Sequence, residues 1–394
     1  MVGLIRMVIV YCILIFDPGK QGFRCNNQNR MDSLDRLGRT SSSLPMTNVI
    51  PPTISPSTAP MTFKFCLVGC GSFSNLFHGP AIREIISHLP SVEFAGCCDI
   101  VEEKAKRFRK SFDASGHYTD IADMLDRVRP DAVLVAVPPP VTFAASRIVL
   151  ERGIPLLLEK PPGLNTAQWT ELTSIAGRTG TPTQVGFNRR YMPALTHARQ
   201  ILSAEFPPNA ITQIEYAMIR FNRLSEDFST TAIHALDTLL FLARSPLQEA
   251  RFTFGAEIAQ QPYRITMDAT TVSGIHVHLD ILPGAGRVSE RICVHAIGQS
   301  LEVNVTSSPN GASKGNVDHW RNEGLVSSYS DTSTPALNRS GVYLEIAAFL
   351  TAISGKQTLP TPALADCHQQ VALMEAIRER RTTPLAFPTG TVVL

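Results

Sequence analysis

No apolar run in the first segment of this chain is long enough to cross a bilayer. The stretch Met7 to Phe16 holds ten apolar residues, about half of what a spanning helix requires. Charge of one sign is also lacking: 36 Lys and Arg stand against 34 Asp and Glu, a net +2. That balance argues neither for nucleic acid nor for a membrane surface, and neither is expected as a partner. Eight cysteines occur without a repeated CxxC or other ligand spacing, which excludes a disulfide framework and a zinc site and reads as reduced thiols in a cytoplasmic protein. No internal repeat is evident, which sets aside solenoids and propellers. What is there is ordinary for a globular enzyme, 44% hydrophobic and 18% charged residues in a chain of 394. That length allows two domains with sizeable cores.

The N-terminal segment stands apart. Six of the basic and three of the acidic residues fall in positions 1–60, so the slight basicity belongs there. Arg6 is a weak basic flank to the apolar run, and no convincing small-residue cleavage site follows. Positions 25–60 are rich in Ser, Thr, Pro and Asn and read as disordered. The expectation is that 1–60 is a dispensable tail or an upstream extension of the reading frame, with a signal peptide or anchor as the alternative. The tripeptides beginning at Asn304 and Asn338 fit glycosylation sequons but are too frequent by chance to alter this.

From Met61 the pattern alternates. Apolar strands are predicted at 63–68, 92–98, 132–137, 154–158 and 182–186, and helices at 78–88, 101–112, 120–127, 141–152 and 165–178. Such alternation predicts an α/β fold with a doubly wound parallel sheet covered on both faces. Near Gly186 the character changes. A helix around 192–202 precedes longer β segments at 211–220, 249–258, 271–282, 287–296 and 299–305. The alternation in Gly274-Ile275-His276-Val277-His278-Leu279 predicts a mostly antiparallel open sheet with one face buried. Helices at 231–243, 343–354 and 363–381 are expected to cover it, and 307–340, rich in Ser, Asn and Gly, reads as a mobile loop. The division expected is a nucleotide-binding domain at 61–186 and an α+β domain at 187–394.

Gly69-x-Gly71-x-x-Ser74 follows a strand and opens a helix. Gly69 permits a tight turn and Gly71 lets the backbone approach a pyrophosphate, while Ser74 stands where a third glycine usually serves close packing. Gly69, Gly71, Ser72, Phe73 and Ser74 are thus the candidate phosphate-binding positions. Asp99 ends the second strand, where an acid would hydrogen-bond ribose hydroxyls and repel a 2′-phosphate. NAD is therefore favoured over NADP. The alternative is a plain Gly-containing turn with Asp99 capping the next helix. Val137 and Pro138 end a further strand in a rigid Pro-rich turn and would line the nicotinamide half, unless the prolines simply stop the strand. Glu159-Lys160-Pro161-Pro162 stand where the strand at 154–158 runs out. A lysine there faces the crevice in which parallel sheets bind ligands, and the proline after it restricts the backbone.

These residues resemble the glucose–fructose oxidoreductase / inositol dehydrogenase family, Gfo/Idh/MocA, over about 61–394. The carriers are Gly69-Cys70-Gly71, Asp99, Ala132 to Pro138, Glu159-Lys160-Pro161, Gly186-Phe187-Asn188-Arg189-Arg190-Tyr191 and His234-Ala235-Leu236-Asp237. The resemblance implies an N-terminal Rossmann domain, a C-terminal domain whose open sheet makes a homo-oligomer, and NAD(P)-dependent oxidation or reduction of sugars, cyclic polyols or related carbonyls. It assigns His234 as catalytic base and Lys160 as the cation on the reacting oxygen, with Glu159 and Lys160 also beside the cofactor. Asp237, three residues beyond His234, would share its helical face and could orient the imidazole. Arg190 and Tyr191 could reach substrate; alternatively Arg189 and Arg190 make interdomain ion pairs. Pro161 could form a cis bond with Lys160.

Two positions depart from the family pattern. Thr230 stands where many relatives carry an aspartate four residues before the histidine, and Thr142 where a histidine often follows the Pro-rich turn. Thr230, at the substrate side, cannot supply the negative charge that supports proton removal. The leading expectation is an oxidoreductase acting on a small polyol or sugar-like molecule. The rival is a non-catalytic NAD(P)-binding sensor, favoured by Thr230 and Ser74, and a third reading is elimination or hydrolysis with bound cofactor.

Overall fold

The computed structural model describes residues 62–207, 209–305, 314–355, 357 and 362–388. The expectations for 1–60, and for the part of the 307–340 loop before 314, lie outside the described residues. Six parallel strands form the first sheet: β1 (Phe63–Val68), β2 (Val92–Cys98), β3 (Gly116–Tyr118), β4 (Ala132–Val135), β5 (Leu156–Glu159) and β6 (Thr183–Gly186). Their order is β3-β2-β1-β4-β5-β6, the doubly wound arrangement whose ligand crevice opens between β1 and β4. Helices α1 (Gly79–His88), α2 (Glu102–Phe112), α3 (Ile121–Val128), α4 (Pro139–Leu150) and α5 (Thr166–Thr179) connect the strands. The three-residue β3 is too short to have been read from pattern. Local chemistry sets the helix ends: Asn165 accepts from Gln168 N at 2.9 Å to start α5, and Gly180, at φ 63°, ends it.

After a 3₁₀ turn, Asn188–Tyr191, the chain builds α6 (Pro193–Glu205), β7 (Ile211–Ile219), α7 (Ser229–Ala243), β8 (Leu247–Phe254), the short pair β9 (Glu257–Ile258) and β10 (Gln261–Pro262), then β11 (Ile265–Thr271), β12 (His276–Leu282), β13 (Ser289–Ala296), β14 (Gln299–Asn304), β15 (Asn316–Arg321) and β16 (Gly324–Ser330). Helices α8 (Ala336–Arg339), α9 (Val342–Ser354) and α10 (His368–Arg378) and strand β17 (Leu385–Ala386) complete it. The second sheet has nine strands in the order β16-β15-β14-β13-β7-β12-β11-β8-β17. All its pairs are antiparallel except β12 with β7. The predicted alternation holds in β12, where Val277, Leu279 and Ile281 are buried and His276 is exposed. Each such aliphatic side chain contributes about 1.5–3 kcal/mol by burial.

Three expectations are corrected. The segment 271–282 is not one strand, because Thr271 to Ile275 make the turn between β11 and β12 and Ile275 N donates to Thr271 Oγ1. The 307–340 stretch is not all loop. It holds the β15–β16 hairpin, whose turn residues Asn322 and Glu323 both have positive φ, 48° and 67°. Its polar composition masks a strand pair because β16 is an edge with almost every residue exposed, while Val317 and His319 beneath it are buried. Finally, the helix predicted at 343–354 does not cover the second sheet. Val342, Ile346, Phe349 and Leu350 of α9 join Phe65, Leu67, Ile82 and Ile85 in one apolar cluster of the first sheet. The chain order alone cannot tell which sheet a helix returns to.

Candidate functional site

The carboxyl ends of β1, β4 and β5 open onto a cleft of about 680 Å³ whose other wall comes from residues beyond 187. On the nucleotide side, Gly69 has φ 103°, and a Cβ there would stand 2.1 Å from Ala136 O. Only glycine fits that crossing of β1 over the end of β4. A Cβ at Gly71 would meet nothing within 4 Å, so that face of the turn is open to a ligand. Asp99 braces the turn: Oδ2 accepts from Cys70 N and Oδ1 from Val101 N, each at 2.9 Å. Every carboxylate oxygen has a second lone pair, so this bracing leaves acceptor capacity for a ribose hydroxyl. Ser74 is buried and its Oγ pairs with His78 Nδ1 at 3.3 Å, while His78 Nε2 meets Glu159 Oε1 at 2.9 Å. Thus Ser74 joins the turn to the end of β5. Ser72, Phe73, Val137, Pro138 and Glu159 line the cleft with it. A cradle with an open glycine face, a braced acid and an apolar lining fits a dinucleotide.

Lys160 and His234 line the same cleft from opposite halves of the chain. The Lys160–Pro161 bond is cis. Lys160 Nζ donates to Thr230 O at 3.4 Å, so position 230 meets the lysine through its backbone; the Thr230 hydroxyl turns back to Asp227 O. Burial holds the Lys160 ammonium below its ordinary pKa, with Arg189 and Arg223 adding to the effect and Glu159 opposing it. His234 is held well below its ordinary value by burial first, then by Lys160, Arg189 and Arg220. Its Nδ1 is shut from solvent with no hydrogen-bond partner among the described residues, leaving Nε2 for the cleft. The result is a neutral imidazole, able to accept a proton, beside a cation.

Asp237 makes no hydrogen bond to that imidazole among the described residues. It is buried and bound by Arg190, at 2.6–3.2 Å through two nitrogens, and by Gln370 Nε2 at 3.1 Å. Arg190 also stacks over Phe241, and the Tyr191 hydroxyl accepts from Gln184 at 3.0 Å. Neither Arg190, Tyr191 nor Asp237 is among the cleft-lining residues. Asp227, just before α7, accepts from Ser229 N and pairs with Arg378. Arg378, from α10, also donates to Leu164 O and to Ser229 Oγ. One guanidinium therefore ties the segment after the Lys160–Pro161 corner to the start of the helix that carries His234.

Sequence reasoning missed the polar floor of the cleft. Arg189 pairs with Glu290 through two bonds of 2.6 and 2.7 Å, and Arg220 and the Tyr216 hydroxyl bind the same carboxylate. Burial pushes the Glu290 carboxyl up, but the two guanidiniums and the hydroxyl outweigh it and hold it below its ordinary value. Glu345 of α9 differs. It is buried with Oε1 unpartnered among the described residues, and burial, then Glu159 and Asp237, push its carboxyl well above the ordinary 4.5.

Residues 63–187 match the family model of Gfo/Idh/MocA, described as an oxidoreductase family with an NAD-binding Rossmann fold. The chain is 27% identical over 142 residues to the rhizopine catabolism protein MocA of Rhizobium meliloti, covering 36% of this chain and 43% of the relative. It is 32% identical over 111 residues to inositol 2-dehydrogenase of Streptomyces avermitilis, 28% of this chain and 32% of the relative. The aligned segments thus span less than half the length of either curated relative. In fold the likeness is wider. A crystal structure of myo-inositol dehydrogenase from Lactobacillus casei, in complex with NAD(H) and myo-inositol, superposes with a TM-score of 0.66 at 16% identity, over 84% of this chain and 99% of that one. The resemblance to Gfo/Idh/MocA is borne out, by sequence in the Rossmann half and by fold across both. Among the described residues no helix is long and apolar enough to cross a membrane.

Proposed function

From that kinship, we propose that the chain is an NAD-dependent oxidoreductase acting between a hydroxyl and a carbonyl carbon of a sugar, cyclic polyol or related small molecule. The observation that carries this reading is the convergence of Lys160 and His234 on one cleft beside the Gly69–Gly71 turn. The nicotinamide, when bound, takes up or returns the hydride. Gly69, Gly71 and Asp99 would hold the dinucleotide, with Ser72, Phe73, Val137 and Pro138 along its path. In the oxidising direction the substrate O–H bond breaks toward His234, whose neutral ring accepts the proton. Lys160 donates a hydrogen bond to the same oxygen and stabilises the negative charge it gains. In reduction the proton runs back to the oxygen.

Asp237 and Arg190 act in this scheme by fixing the helix that bears His234, and Tyr191 by fixing the turn before α6. The experiment follows reduced-cofactor absorbance with the full chain and a panel of polyols, sugars and their oxo forms. Lys160→Ala and His234→Ala should each lower turnover by about 10²–10⁴-fold while leaving cofactor affinity nearly unchanged. Tight NAD binding with no turnover anywhere on the panel would sink the proposal in favour of a nucleotide-binding sensor.

A further inference from the structure

We propose that the substrate of this cleft carries a carboxylate, anchored by Arg339 and Arg220 of its lining, so that the reacting molecule is a hydroxy or oxo acid rather than a neutral polyol. The inference rests on the oxidoreductase reading above and names its substrate class. Four cationic side chains line the cleft, Lys160, Arg189, Arg220 and Arg339, against two carboxylates, Glu159 and Glu290. Glu159 is engaged by His78. Glu290 is shared: Arg189 binds both of its oxygens, and Arg220 Nη2 reaches Oε1, which Arg189 Nη2 already holds at 2.7 Å. One carboxylate therefore serves two guanidiniums.

Arg339 makes no ion pair among the described residues, and its Nε is buried without an acceptor. A donor shut from water without an acceptor is costly, although the rest of the Arg339 side chain is half-exposed. Lys160 is already assigned to the reacting oxygen. With Lys160 set aside, three guanidiniums against two carboxylates leave about one unit of positive charge, the cofactor phosphates being met by the backbone of the Gly69–Gly71 turn. The free forked donors are those of Arg339, because Arg220 Nη1 already donates to Ile219 O at 2.9 Å. A carboxylate supplies one negative charge, is planar, and accepts two parallel bonds from a guanidinium. A phosphate ester would bring roughly 1.5–2 negative charges and overfill the balance. The charges are also close enough to the base to matter, since Arg220 is among the groups that keep His234 neutral.

The test uses the full chain with NAD and three classes of probe: myo-inositol as neutral polyol, gluconate and glucuronate as acids, and glucose 6-phosphate. The expected result is a kcat/KM for an acid about 10- to 100-fold above that for the neutral probe, the size of a charge-assisted contact. Arg220→Gln and Arg339→Gln should erase that preference mainly through KM, and Arg220→Lys should restore part of it. Because Arg220 also supports Glu290, the Lys variant and Arg339→Gln serve if Arg220→Gln does not fold. Turnover of the neutral probe as good as that of the acids would overturn the carboxylate and leave the oxidoreductase standing. Preference for the phosphate ester would likewise overturn it. An acid preference unmoved in both Gln variants would put the anion elsewhere and refute the assignment. No turnover of any class would overturn the oxidoreductase reading, and this inference with it.

Discussion

His234 sits among three cations with one ring nitrogen sealed and unpartnered, and that sets a pH dependence. A pKa held below 6.5 keeps the imidazole neutral through neutral pH, so the acid limb of the oxidation rate should lie below 6.5, while loss of the Lys160 proton should set an alkaline limb below 10.5. A kcat/KM profile whose acid limb lies at or above 6.5 would contradict this placement of the base. Glu345 titrates in the opposite sense. Its folded pKa is raised above the ordinary 4.5, so its contribution to stability is complete below 4.5 and is lost as pH rises toward the folded value. For one proton the slope is about 1.4 kcal/mol per pH unit within that window. Glu345→Gln should therefore stabilise the protein at neutral pH, with the gain vanishing below 4.5, as followed by denaturant melts across pH. Gly69→Ala places a methyl 2.1 Å from a backbone carbonyl. It should weaken NAD binding by at least about tenfold, read by fluorescence titration, because the turn must open to relieve a costly overlap.

At the scale of elements, α10 does more than cover a sheet. Glu375 accepts from Thr166 N and Oγ1 at the start of α5, at 3.0 and 2.8 Å, and Arg378 joins Leu164 to the start of α7. Arg378 is a positioning residue for Lys160 and His234. Arg378→Gln should reduce kcat by about tenfold, as misplaced catalytic groups do, while NAD affinity holds; loss of both together would mean a purely structural role. How much of this was legible follows from sequence distance. The turn at Gly69, the acid at Asp99 and the Lys-Pro corner each announce themselves within a few residues. Glu290 gave no such signal: its partners Arg189 and Arg220 lie 101 and 70 residues away, and it reads as one of many strand acids. The Asp237 spacing suggested His234, yet a helix three residues on also presents that carboxylate to Arg190. The bidentate guanidinium won, since removing one partner of such a buried pair costs about 3–5 kcal/mol. Strand β11 falls between the predicted strands although Ile265, Met267 and Ala269 alternate inward, and β16 carries no legible pattern, because an edge strand with no buried face leaves none.

For the whole molecule, helices α6, α7 and α10 pack on one side of the nine-stranded sheet, and its other side bears half-exposed or exposed residues such as Gln213, Glu215, Ala217, His278 and Arg291. We propose that this side joins copies of the chain. Light scattering should then give a multiple of 43.0 kDa, and Ala217→Arg, which puts a charge in the middle of the face, should shift it toward the monomer. The return of α9 to the first sheet has a different consequence, for how the chain can be cut. Residues 62–187 look like an autonomous unit, but without α9 they would leave Phe65, Leu67 and Ile82 missing the aliphatic cover of Ile346, Phe349 and Leu350. A fragment ending at 187 should be poorly soluble by itself and be rescued by co-expression with 188–394. The nucleotide half would then be an intermediate that a ribosome finishes late, stable only once the chain has come back to it.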